Sequence, residues 1–261
     1  MRALSFQPWL PVVLILLVWG GAKTVWEASL ARQAAAARYG TAALPALAPG
    51  LGDRIGQGTL LALLGGTRAL AANYYWLQVT DAWEKKEWFR VAERVDLVTA
   101  LQPRSVYFWQ MGAWQLAWNA SADALHRLGE KSAARRELQA REWVHAGKRL
   151  LDRGIASVPE RYDLWFQRGF LEEQKLRDPL AAARDYEEAL RRPGAPAYLE
   201  RFVGYALERG GDLPGAYAWW RRLWLSTPDH ADRVRAWDKV AAHLRDLERR
   251  LRVPAGERVL P

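Results

Sequence analysis

Residues 197–228 read AYLERFVGYALERGGDLPGAYAWWRRLWLSTP, from Ala197 to Pro228. The stretch divides into two apolar-periodic halves about a Gly210–Gly211 pair, a helix–turn–helix pattern. Small Gly204 in the first half and small Ala216 in the second let two helices approach closely. Bulky Trp220 fills the space between that pair and its neighbour, Leu223 adds apolar surface, and Pro228 stops the second helix.

A search outward for the same pattern finds it again in Tyr162–Pro193, with Trp165, Gly169, Ala182, Tyr186 and Ala189 at corresponding places. This second copy needs one inserted residue in its Lys175–Pro179 turn, after which Asp178–Pro179 supplies an N-cap and a first-turn proline. Two looser copies lie upstream. Ser105 onward has Phe108, Met111 and Gly112 in register, but its terminating Pro159 is displaced by an insertion over 119–140. Ala72–Pro103 carries Tyr75, Val91, Val95 and Val98 without the glycine. In spacing and residue type these units resemble the tetratricopeptide repeat family, over residues 72–228. The resemblance implies an all-α fold of antiparallel helix–turn–helix repeats stacked as an α-solenoid. The helical-repeat domain is expected over 59–228, followed at 229–261 by a charged amphipathic capping helix (His230 to Val253) and a tail.

The N-terminus has a different character. Pro8 to Ala22, PWLPVVLILLVWGGA, carries no charge. Extended to residues 6–26 it reaches the roughly 20 residues that a spanning helix needs, with Lys23 snorkelling and Trp9, Trp19 and Trp26 near the interfaces. Residues 1–26 are therefore expected to be a transmembrane anchor, the alternative being a signal peptide cleaved near Gly20–Gly21–Ala22. Residues 27–58 read as an Ala-rich helical extension and a Gly/Pro linker. The expected location is the bacterial inner membrane, single-pass, with the soluble domain on the periplasmic side.

The formal net charge is +9, and most of the excess falls in residues 1–60 and 104–159. A nucleic-acid module would concentrate it on one face, so a solvated surface is the simpler reading. A basic, Trp-rich binder of nucleic acid or anionic membrane is the alternative. Chain chemistry is sparse. There is no cysteine, hence no thiolate ligand or thiol nucleophile. His126, His145, His230 and His243 never recur at metal-ligand spacing. Gly65–Gly66 lacks the spacing and lysine of a phosphate loop and reads as a tight turn or a close helix contact. Glu172–Glu173 and Glu187–Glu188 are adjacent rather than i,i+4 and are expected on solvated faces. No enzymatic activity, cofactor or metal is expected. A buried carboxylate of raised pKa in the concave face of the array would reopen the enzymatic alternative.

What remains is a surface. The resemblance implies that the first helix of each unit lines a concave groove. Its residues here are Tyr198, Arg201, Tyr205 and Glu208, then Phe166 and Phe170, with Trp109 and Trp76 in the looser units. Aromatic and arginine side chains are common interface anchors. Trp114 and Trp118 are i,i+4 neighbours on a helix expected to be buried by its neighbours or by a partner. The expected function is that of a non-catalytic scaffold, anchored in a lipid bilayer through residues 6–26, which binds a protein partner in a cell-envelope complex.

Overall fold

The computed structural model describes residues 57–126, 132–226 and 236–260. The segment 6–26, and with it the anchor, the signal-peptide alternative and most of 27–58, lies outside the described residues. None of the described helices is long and apolar enough to cross a membrane.

The described chain is all-helical. α1 runs Gln57–Glu84, α2 Trp88–Leu101, α3 Val106–Trp114, α4 Ser121–His126 and α5 Ala133–Ser157. α6 follows at Tyr162–Leu171, α7 at Pro179–Leu190, α8 at Leu199–Arg209, α9 at Leu213–Leu225 and α10 at Trp237–Arg250. Contacts divide the chain inside α1, between Tyr75 and Trp76. In the first part, α1 passes through Gly65–Gly66 without a break, so of the two readings of that pair, a tight turn or a close helix contact, the turn is absent. Both glycines are tolerated in a long helix at a cost of about 1 kcal/mol each.

From Trp76 on, α6 packs on α7, α7 on α8, α8 on α9 and α9 on α10, while α5 packs against α3, α4 and α6. One apolar cluster joins α1 to α6, centred on Val91, Val95, Leu116, Leu151 and Leu164. A second joins α7 to α8 through Ala182, Tyr186, Val203 and Ala206. A third joins α9 to α10 around Trp220, Val240 and Leu244. Glycines set the helix spacing. A Cβ on Gly204 would fall inside the Trp220 indole, and one on Gly169 would stand 2.8 Å from the Tyr186 ring. Gly147 sits against Ala117 and Ala113 in the same way.

The insertion over 119–140 forms no separate module. It lengthens one hairpin: α3 continues through a π-helical turn, Gln115–Ala120, into α4, and α5 begins at Ala133. Ser132 caps α5 by accepting the Arg135 N–H. The extra residue in the Tyr162–Pro193 unit also becomes a π turn, Glu172–Leu176. It closes with left-handed Arg177 (φ 59°) and the Asp178 N–H donating to the Glu172 carbonyl at 3.0 Å. A one-residue surplus is absorbed in this way without unwinding the helix. Asp178 and Asp212 then cap α7 and α9 by accepting the Ala181 and Gly215 N–H groups, both at 2.9 Å. The C-terminal helix ends before the expected Val253, and residues 230–235 of its expected span lie outside the described residues. It spans Trp237–Arg250 and gives way to a tail with a 3-10 turn at Ala255–Glu257.

Candidate partner-binding surface

Three helices each carry an aromatic pair at i,i+4 spacing: Trp114 and Trp118 on α3 and its π turn, Phe166 and Phe170 on α6, and Phe202 on α8 with Tyr198 just before it. Residues four apart share a helix face, and adjacent packing joins the three pairs into one line. Trp114 stacks on Trp118 at 4.5 Å with planes 5° apart, and Trp118 on Phe170 at 5.8 Å. Phe170 meets Phe166 at 6.4 Å, Phe166 meets Phe202 edge-on at 5.2 Å, and Phe202 meets Tyr198 at 6.2 Å. All six rings are at least partly open to solvent. The end members Trp114 and Tyr198 are each 37% exposed. Lys175 lies over the Trp118 ring at 5.5 Å and donates to Ser121 Oγ at 3.4 Å. Burial lowers its pKa below the ordinary lysine value. A contiguous aromatic row at the surface, with a cation at one step, is an arrangement suited to gripping a partner.

The expected site residues divide into four groups. Tyr198, Phe166 and Phe170 lie in the row. Trp76 is half-buried in a separate cluster with Tyr107 and Phe108, 5.5 and 5.3 Å away. Trp109 is a correction. It is only 4% exposed, its indole N–H donates to the Pro103 carbonyl at 2.8 Å, and it can present nothing to a partner. The reason is the close approach of Gly154 on α5, which seats that helix directly on the indole. Tyr205 and Glu208 serve the seam between α8, α9 and α10. Glu208 accepts the Trp220 indole N–H at 2.7 Å and pairs with His243 at 2.8 Å. Tyr205 packs on both the Trp220 and His243 rings. Burial raises the Tyr205 phenol pKa, and neighbouring half-buried Arg201 works against that rise.

Glu172 and Glu173 are the second correction, since neither is solvated. They are 7% and 8% exposed, turned inward at the π turn. Glu173 accepts the Tyr186 phenol at 3.1 Å and pairs with Arg209. Burial pushes the Tyr186 phenol far above its usual range, and Glu173 adds to the effect. Burial likewise raises the Glu172 carboxyl, partly offset by Lys148 at 3.4 Å. Lys148 also reaches Asp152 at 3.5 Å, and Asp152 accepts from Arg168 at 2.8 Å. Arg168 grips Asp185 with two bonds of 2.6 and 2.7 Å. Burial opposes the Arg168 charge, but the two aspartates more than offset it and its pKa lies above the ordinary value. This chain of charges ties α5, α6 and α7 together. The raised Glu172 is engaged within it by Lys148.

Phe202 and Lys175 were missed as site residues. The recurring i,i+4 aromatic pair was the available signal for Phe202; the sequence offered none for Lys175, which reaches Trp118 only through the π turn. A second overlooked regularity is Pro followed six residues later by Trp. Pro103–Trp109 and Pro159–Trp165 both close with the indole donating to the proline carbonyl, at 2.8 and 3.2 Å. No protein-family model matches the chain, and no characterised protein matches it in sequence.

Proposed function

We propose that this chain is a non-catalytic scaffold of the tetratricopeptide type. It is anchored in a bacterial inner membrane by residues 6–26, and it holds a protein partner of an envelope complex on the aromatic row. The observation that carries the reading is the line of six partly exposed rings from Trp114 to Tyr198 across α3, α6 and α8. The small-against-large packing of Gly204 on Trp220 and Gly169 on Tyr186 supports the repeat assignment. The uncharged run Pro8–Ala22 supports the anchor. The row suits a partner segment whose apolar side chains seat between rings, each ring contact adding about 0.5–1.5 kcal/mol.

The test is a photo-cross-linking residue placed at Tyr198, and separately at exposed Arg149 on α5, in cells of the native host. A covalent adduct with one protein at Tyr198 and none at Arg149 is expected, and Trp118→Ala with Phe202→Ala abolishes it while the helical circular dichroism persists. No adduct at Tyr198, or one indifferent to the double variant, removes the row as the binding surface. Extraction of the chain from membranes by carbonate would remove the anchor.

A further inference from the structure

A groove of about 1360 Å³ opens between α9 and residues 251–259 of the C-terminal tail, remote in sequence from the aromatic row. Its far wall is held by Glu248, which is buried on α10 and accepts the Val259 N–H at 2.7 Å and the Tyr217 phenol at 3.5 Å. The floor is apolar, with Leu225 on one side and Val253 on the other. Arg221 and Arg222 on α9, and Arg252 and Arg258 on the tail, line the groove against one acid, Glu257. Several arginines elsewhere in the fold are paired with carboxylates, among them Arg153 with Asp96, Arg161 with Asp163 and Arg168 with Asp185. Among the described residues, none of the four groove arginines forms an ion pair. Arg222 lies over the Trp219 ring at 4.3 Å and Arg258 donates to the Val253 carbonyl at 3.0 Å.

Four like charges gathered around one lining acid, Glu257, outnumber it and repel one another, so an anionic occupant gains from all of them at once. We propose that this groove is a second binding site, one that takes an extended acidic segment of a partner polypeptide. The volume exceeds the ~300–1,000 Å³ usual for a small-molecule pocket. The apolar floor suits a segment that alternates acidic and aliphatic side chains. Single-stranded nucleic acid would need open rings for its bases, and the groove's aromatic side chain, Tyr217, is half-buried and tied to Glu248. A flat lipid surface cannot enter a concave site. The guanidinium groups give the acidic side chains planar, bidentate partners.

The experiment titrates the purified full-length chain in detergent with a short fluorescent peptide alternating glutamate and leucine, read by anisotropy. A lysine–leucine peptide, a labelled single-stranded oligonucleotide and phosphatidylglycerol vesicles run in parallel. Saturable binding of the acidic peptide, weakened by salt and absent for the lysine peptide, is expected. Arg221→Glu with Arg252→Glu should lower that affinity by roughly tenfold or more, while Trp118→Ala with Phe202→Ala leaves it unchanged. If the charge reversals disturb the melting curve, Arg221→Gln with Arg252→Gln replaces them. The proposal is overturned by failure of the acidic peptide to bind, by binding indifferent to the groove variants, or by tighter groove-dependent binding of the oligonucleotide or the vesicles. Loss of the aromatic row's partner would leave these outcomes untouched, so the two sites fail separately.

Discussion

Gly204 is where a single atom decides most. The Trp220 indole occupies the space that any side chain would need, and Trp220 is itself fully buried with its N–H committed to Glu208. Gly204→Val should therefore destabilise the fold by about 1–3 kcal/mol, read from urea unfolding, and combination with Trp220→Leu should recover part of that loss. Arg168 poses a different demand, because Asp185 needs a fork of two donors while Asp152 takes a third. Arg168→Lys cannot supply that geometry; a melting temperature well below that of the unaltered chain is the expected result. Glu172 runs the opposite way. Its carboxyl is raised above the ordinary 4.5 by burial, so the folded state holds the proton more tightly than the unfolded chain does. Ionisation of Glu172 then costs stability at neutral pH, and the cost fades as pH falls through the folded pKa toward 4.5. Glu172→Gln should be at least as stable as the parent at pH 7 and lose that advantage in acid. A midpoint at pH 7 below the parent's would contradict this.

At the scale of elements, the two π turns matter most. Each lets a helix carry one surplus residue and still present its later side chains inward, and each stands beside a ring of the aromatic row: Trp118 within the first, Phe170 just before the second. Two helix starts downstream, those of α7 and α9, carry side-chain caps. Asp178 holds the first turn of α7 directly after the second π turn, where Arg177 is left-handed. Asp178→Ala should cost about 1 kcal/mol and should increase hydrogen exchange first at Ala181 and the opening turn of α7. Exchange unchanged there would mean that packing alone holds the turn. The insertion belongs to the same scale: its described residues extend one hairpin, because the π turn, α4 and α5 bury Ala120, Ala124 and Ala140 in the cluster shared with α2 and α3.

For the whole molecule, buried polar groups and exposed surfaces fall in different places. The charge chain through Lys148, Asp152, Arg168 and Asp185 lies between helices, and so does the Glu208–Trp220–His243 group. The aromatic row and the arginine groove lie open. Variants of the first kind should change unfolding and leave binding affinity in the remaining folded fraction, whereas Trp118→Ala with Phe202→Ala should do the reverse; a shift of both together in either set would merge the two roles. The all-helical fold was legible in sequence because apolar periodicity, glycine pairs and terminal prolines are local signals, readable residue by residue. The 197–228 unit shows this best: its small and large residues meet where their spacing said they would. The site was only partly legible. Tyr198, Phe166 and Phe170 stand in the row, yet Trp109, also aromatic and at the place in its unit that Phe166 holds in its own, is enclosed. Aromatic side chains serve core and surface alike, so spacing places them on a helix without saying which neighbour covers that face. Sequence by itself determined that the chain is helical and where α7 and α9 begin, through caps and prolines acting within a few residues. Only the tertiary structure decided which rings meet, which carboxylates are buried and which arginines stay unpaired, because each depends on helices far apart in the chain approaching to within a side chain's length.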